Sequence, residues 1–284
     1  IALSALLGRI LSKRKEGLQV MERARATLDR LGQPGALNAE LLMTLGSIHA
    51  VHGELESSAK ILKQAQEQTE YLYAQNPSAQ NQEKLAKATS YLGNIRNMQG
   101  AHDEARTHYQ RALTLALHTL GPNHSLSRSL RANLAMDSAR RGKLQTASLE
   151  YSELLRTYEE SQSTQSELYI STILALATAQ KNLGRFSEAH QNYKSCIDIA
   201  AERVGRDHTL TLVCETGVAE CLFHIGKESS ALKRVRSTLE RFEKAFSENH
   251  FYVGETQLLL GELLLRTHRW QRAKPWLTSG LRIT

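Results

Sequence analysis

Two histidines three residues apart, His49 and His52, are the nearest the chain comes to a metal-binding pair. Such a site needs three or four converging ligands, yet no third ligand stands beside them and no H-E-x-x-H occurs. Cys196, Cys214 and Cys221 form no C-x-x-C pair, and their odd number argues against a disulfide framework. They are expected as small, buried, apolar residues. No G-x-S-x-G elbow and no phosphate-cradling loop appears; "GNIRNMQG" reads as a helix followed by its cap. The chain therefore reads as a non-enzyme, with no metal and no cofactor.

Charge narrows the partners only slightly. The 36 Lys and Arg against 29 Asp and Glu leave a net +7. Local basic clusters occur at Lys13-Arg14-Lys15, Arg140-Arg141 and Lys233-Arg234, and are read mostly as solvated helix faces. Few aromatics interleave with them, so a single-strand stacking platform is disfavoured, and nucleic acid with it. No stretch reaches the ~18 apolar residues of a membrane span. The apolar opening "IALSALLGRIL" is expected to form a docked helix before "SKRK".

A strict period organises the rest. Gly100, Gly142, Gly184 and Gly226 stand 42 residues apart, and His268 falls one step further on. Glycine tolerates the left-handed conformation at a helix end, so each is expected to close one helix before the next. Small residues recur in the first helix of each pair: Gly46, Gly93, Ala135, Ala177, Ala219 and Gly261. The second helix carries Ser58, then Ala105, Ala147, Ala189, Ala231 and Ala273. A large residue follows one turn later, on the same face: Leu62, Tyr109, Tyr151, Tyr193, Val235 and Leu277. His124, His208 and His250 recur in the connections "LGPNHSL", "VGRDHTL" and "SENHFYV", and are expected as helix caps rather than ligands. This pattern predicts an all-α fold, a right-handed superhelical solenoid of antiparallel helix pairs. Six units are expected from near residues 37, 84, 126, 168, 210 and 252, after a helical lead-in over 1–36. A polar insertion, "AQNPSAQNQE", separates the first two.

These residues resemble the tetratricopeptide repeat, lengthened from its usual 34 residues to 42. Together with the His-containing connections they resemble the repeats of kinesin light chains and related bacterial arrays. The entry "MERARATLDRLGQPGALNAELL" resembles the segment that leads into the repeat region of bacterial membrane-anchored serine/threonine kinases. That resemblance implies a kinase domain and a membrane span upstream, which would place the array outside the cytoplasm; without a span it would be cytoplasmic. No kinase motif lies in the chain itself, and its start at Ile1 is read as that of a fragment or processed form.

A solenoid of this kind presents a concave groove lined by its first helices. The positions just after the small residue, and one turn on, should face inward. They are Asn94 and Asn97; Arg140, with Asn133 just before the small residue of its unit; Thr178, Lys181 and Asn182; Glu220 and His224; Glu262 and Arg266. Amide side chains can pair with the backbone of an extended peptide, and Arg and Lys would favour an acidic residue in it. Other inward positions carry Ser90, Ala132, Leu174 and Thr216, so a clamp for a free C-terminal carboxylate is not expected. The function expected is a protein- or peptide-binding module, the sensory or interaction region of a bacterial signalling kinase. The rivals are a stand-alone adaptor of the kinesin-light-chain sort and, behind it, a nucleic-acid-binding regulator. Leu277 and Leu281 on the last helix suggest a face left for a capping segment or for a second copy, giving a homodimer through the C-terminal repeat.

Overall fold

The computed structural model describes residues 35–283 except 165 and 248, together with a few helical positions between Gln19 and Arg30. The apolar opening and most of the expected lead-in lie outside the described residues. From Ala36 onward the described residues form twelve helices and no strand. They are α1 (Ala36–Val51), α2 (Leu55–Gln75), α3 (Ala79–Met98), α4 (His102–Leu120), α5 (Ser125–Arg140) and α6 (Leu144–Glu160). Then follow α7 (Glu167–Asn182), α8 (Phe186–Arg203), α9 (Thr209–His224), α10 (Glu228–Ala245), α11 (Phe251–Arg266) and α12 (Trp270–Ile283). None of the described helices is long and apolar enough to cross a membrane. The chain divides into two compact units, Ile1–Asp137 and Ser138–Thr284, with the division falling inside α5.

Helix ends follow from single residues. Gly53, Gly100, Gly142, Gly184 and Gly226 all have φ between 74° and 82°, and His268 takes the same left-handed conformation at 57°. Each turns the chain between the two helices of a pair. At the opposite end of the pairs, the Nδ1 atoms of His124, His208 and His250 accept from the backbone N–H two residues on, at 3.2, 3.2 and 3.3 Å. These histidines satisfy N–H groups that the first helical turn leaves without a partner. The polar stretch 74–83 is not one loop: Gln75 ends α2, and Ser78 caps α3 by accepting from Asn81 N–H.

Within a pair, the small residue of the first helix lies against the large residue of the second. A Cβ on Gly46 would fall 2.5 Å from Leu62, on Gly93 2.9 Å from Tyr109, and on Gly261 2.6 Å from Leu277. Only glycine allows these side chains to lie on the backbone. Ser58, Ala105, Ala147, Ala189, Ala231 and Ala273 are all buried. Ser58 replaces a methyl with a hydroxyl and satisfies it by donating to the Gly46 carbonyl at 2.7 Å. Leu277 lies against Gly261 of its own pair and is half-buried, while Leu281 on the same helix is 71% exposed.

The cysteine expectation is half right. All three are buried, but Cys196 of α8 and Cys214 of α9 are joined in a disulfide, with Cα atoms 6.4 Å apart. Cys214 and Cys221 share α9, seven residues apart. The bonding partner comes instead from the neighbouring helix, brought alongside by the intervening turn. Cys221 stays a thiol, and burial pushes it up to about 11.

Candidate functional site

In the second unit the first helices α7, α9 and α11 lie side by side. Between them opens a cavity of about 380 Å³. Lys181 enters it from α7; Val213, Thr216 and Glu220 from α9; Glu255, Leu258 and Glu262 from α11. The 42-residue register makes this convergence: Glu220 and Glu262 each follow the small residue of their helix, Ala219 and Gly261. Lys181 lies one turn beyond Ala177 and reaches across to Glu220, Nζ to Oε2 2.5 Å. Three of the expected groove residues, Lys181, Glu220 and Glu262, therefore meet at one place.

The others have different surroundings. Thr178 holds its own pair together: the Tyr193 hydroxyl lies 3.0 Å from Thr178 Oγ1, which donates to Leu174 O. Burial pushes the Tyr193 phenol well above its ordinary value, so it stays a donor. Asn182, the last residue of α7, is exposed. His224 stacks flat on Phe186, ring centres 4.0 Å apart. Arg266 pairs with Glu262 at 2.7 Å, and its guanidinium carbon lies 5.9 Å over the Phe223 ring. Arg140, at the end of α5, is exposed.

In the first unit, Asn94 does what Thr178 does in the second. Its Oδ1 accepts from the Tyr109 hydroxyl at 2.9 Å and from Asn133 Nδ2 at 3.2 Å. Asn97 Oδ1 lies 3.1 Å from His102 Nδ1, across the turn at Gly100. The two closely spaced histidines are held apart by different partners: His49 Nδ1 meets Glu54 at 2.5 Å, while His52 Nδ1 donates to Ile48 O. Among the described residues no group of three or more His, Cys, Asp or Glu could hold a metal ion.

Several lining residues escaped the sequence reading. Phe251, Tyr252 and Phe242 form an aromatic wall, with Tyr252 stacked on Phe242 at 5.6 Å between ring centres. The available signal was the step from Thr209-Leu210 to Phe251-Tyr252 at the same register, just after the capping histidine. Phe251 is 57% exposed, an unusual place for a phenylalanine in a water-facing helix end.

The family comparison decides what these helix pairs are. Residues 84–160 match one model described as a tetratricopeptide repeat, and residues 170–210 match a second with the same description. These segments are tetratricopeptide repeats. No curated protein matches the chain. Among solved structures, the repeats are similar to BtubC from P. vanneervenii, with 18% identity over 81% of this chain and 90% of that one, TM-score 0.67. They are also similar to a putative kinesin light chain of Podosopora anserina, at 17% identity, 71% and 95% coverage, TM-score 0.60. A third structure, NprR in complex with its cognate peptide NprX, aligns at 13% identity over 99% of this chain and 78% of that one, TM-score 0.63. At these identities the likeness is one of fold: an all-helical array of tetratricopeptide type.

Proposed function

We propose that the chain is a peptide-binding tetratricopeptide module whose recognition site in the second unit is the cavity between α7, α9 and α11. The observation that carries this reading is the meeting of Lys181, Glu220 and Glu262 with Phe251 and Tyr252 at one opening. A concave site with an apolar floor and a few placed polar groups is the usual form of a binding site. The shared fold with NprR, a protein solved with its cognate peptide, supports the same reading. Asn94 Oδ1 and Thr178 Oγ1 already serve tyrosine hydroxyls, so what remains for a ligand is the charged and aromatic set.

Following the resemblance of "MERARATLDRLGQPGALNAELL", this module is the interaction region of a bacterial serine/threonine kinase, and peptide binding biases the attached catalytic domain. A groove occupied by a peptide resists the relative motion of its helices, which gives the ligand a differential affinity for one state of the array.

A displayed library of random dodecapeptides, selected on the immobilised chain, tests the groove. Thr216 lines the cavity and is half-buried at its wall, so Thr216→Trp should fill the space and abolish enrichment. Enrichment of the same peptides by the Thr216→Trp variant would remove the cavity from consideration.

A further inference from the structure

The cavity is acidic within a basic chain. Its lining carries the carboxylates Glu220, Glu255 and Glu262 against the single ammonium of Lys181, while the chain as a whole carries +7. Lys181 is already taken by Glu220 at 2.5 Å. Glu262 pairs with Arg266 on its own helix, both side chains about half exposed, so water screens the pair. With Lys181 and Arg266 set against Glu220, Glu255 and Glu262, one negative charge, that of Glu255, is left over where a ligand would sit.

The remaining walls suit a particular kind of cation. Val213, Leu258 and Leu259 offer apolar surface beside the carboxylates, and a Lys or Arg side chain covers such surface with its methylene stem while its head stays with charge and water. Phe251, 57% exposed, and Tyr252 line the same opening, and an aromatic ring attracts a guanidinium or ammonium placed over its face. At about 380 Å³ the cavity lies near the small end of ligand sites, large enough for one or two side chains rather than a folded partner.

From this we infer that the occupant is a Lys or Arg side chain of an extended peptide, its head among Glu255 and Glu262 and its stem on Val213, Leu258 and Leu259. The inference rests on the peptide-groove reading above and reverses the sequence expectation of an acidic partner. An acidic residue would meet like charge at the cavity and be driven out. Selectivity for a basic residue therefore comes from repulsion as much as from attraction.

The same dodecapeptide library distinguishes the two readings. Enriched sequences should share one Lys or Arg beside an apolar residue, and synthetic copies should lose about three- to fivefold in affinity for each of Glu255→Gln and Glu262→Gln at low salt. Both glutamates are exposed, so an unchanged thermal midpoint should accompany the loss. The reversal Glu255→Lys with Glu262→Lys should shift the enriched sequences to acidic ones. Peptides blocked by Thr216→Trp but carrying no basic residue would overturn this inference and leave the groove standing. No enrichment on the unaltered chain would overturn both.

Discussion

Lys181 Nζ of α7 lies 2.5 Å from Glu220 Oε2 of α9, with about 20% and 30% of the two side chains exposed. The pair joins two neighbouring first helices at the edge of the cavity and withdraws the only lining cation from any ligand. Removing either partner leaves a half-buried charge alone. Lys181→Met and Glu220→Gln should each lower stability by about 0.5–1 kcal/mol, with the double variant losing less than the sum. Urea denaturation of the four proteins gives the coupling; strict additivity would mean the pair contributes nothing.

Packing between paired helices is set at single atoms. A Cβ on Gly261 would fall 2.6 Å from Leu277 Cγ and 3.2 Å from the Leu277 backbone N. Gly261→Val should cost about 1–3 kcal/mol by overpacking. Adding Leu277→Ala should restore part of that loss, because the clash is with that side chain. A thermal melt of the single and double variants checks the sign.

His268 carries a left-handed φ of 57° where the same position 42 residues earlier is Gly226 at 82°. A side chain there is strained and glycine is not. His268→Gly should stabilise the chain by about 0.5–1 kcal/mol, and Gly184→Ala should destabilise it by about 1 kcal/mol. Chemical denaturation showing no gain for His268→Gly would count against the turn as the source of strain.

Burial first, and the Arg96 guanidinium second, hold the His108 imidazole below its ordinary 6.5. Arg111 acts in the same direction and Glu104 against it. The unfolded chain then takes up this proton before the folded one does. Stability from His108 is therefore complete above the unfolded value and is lost as pH falls below it. The urea midpoint should drop between about pH 7 and about pH 5, and His108→Gln should flatten that drop. An equal drop in the variant would place the effect elsewhere.

Thiol titration tests the cysteines. Denatured without reductant, the chain should show one reactive thiol, Cys221, and with reductant three. In the folded state Cys221 should be silent, being buried and pushed up to about 11.

The sequence alone determined the local grammar of the fold. A glycine every 42 residues and a histidine before each of three helices act on their own backbone through φ or through an N–H two residues away. The small-to-large pairing of Gly46 with Leu62 or Gly93 with Tyr109 was legible for the same reason: sixteen residues of helix, turn and helix bring them together whatever surrounds them. The site was legible only in part. Periodicity put Glu220 and Glu262 inward, but it put Asn94 and Thr178 there equally, and only the packed helices showed that tyrosine hydroxyls occupy those two. The tertiary structure also decided that Cys196 reaches Cys214 and that Glu255 joins the wall formed by Phe251 and Tyr252. Each of these depends on which side chain of one helix meets which of the next, a matter of rotation and crossing distance that no spacing along a single helix records.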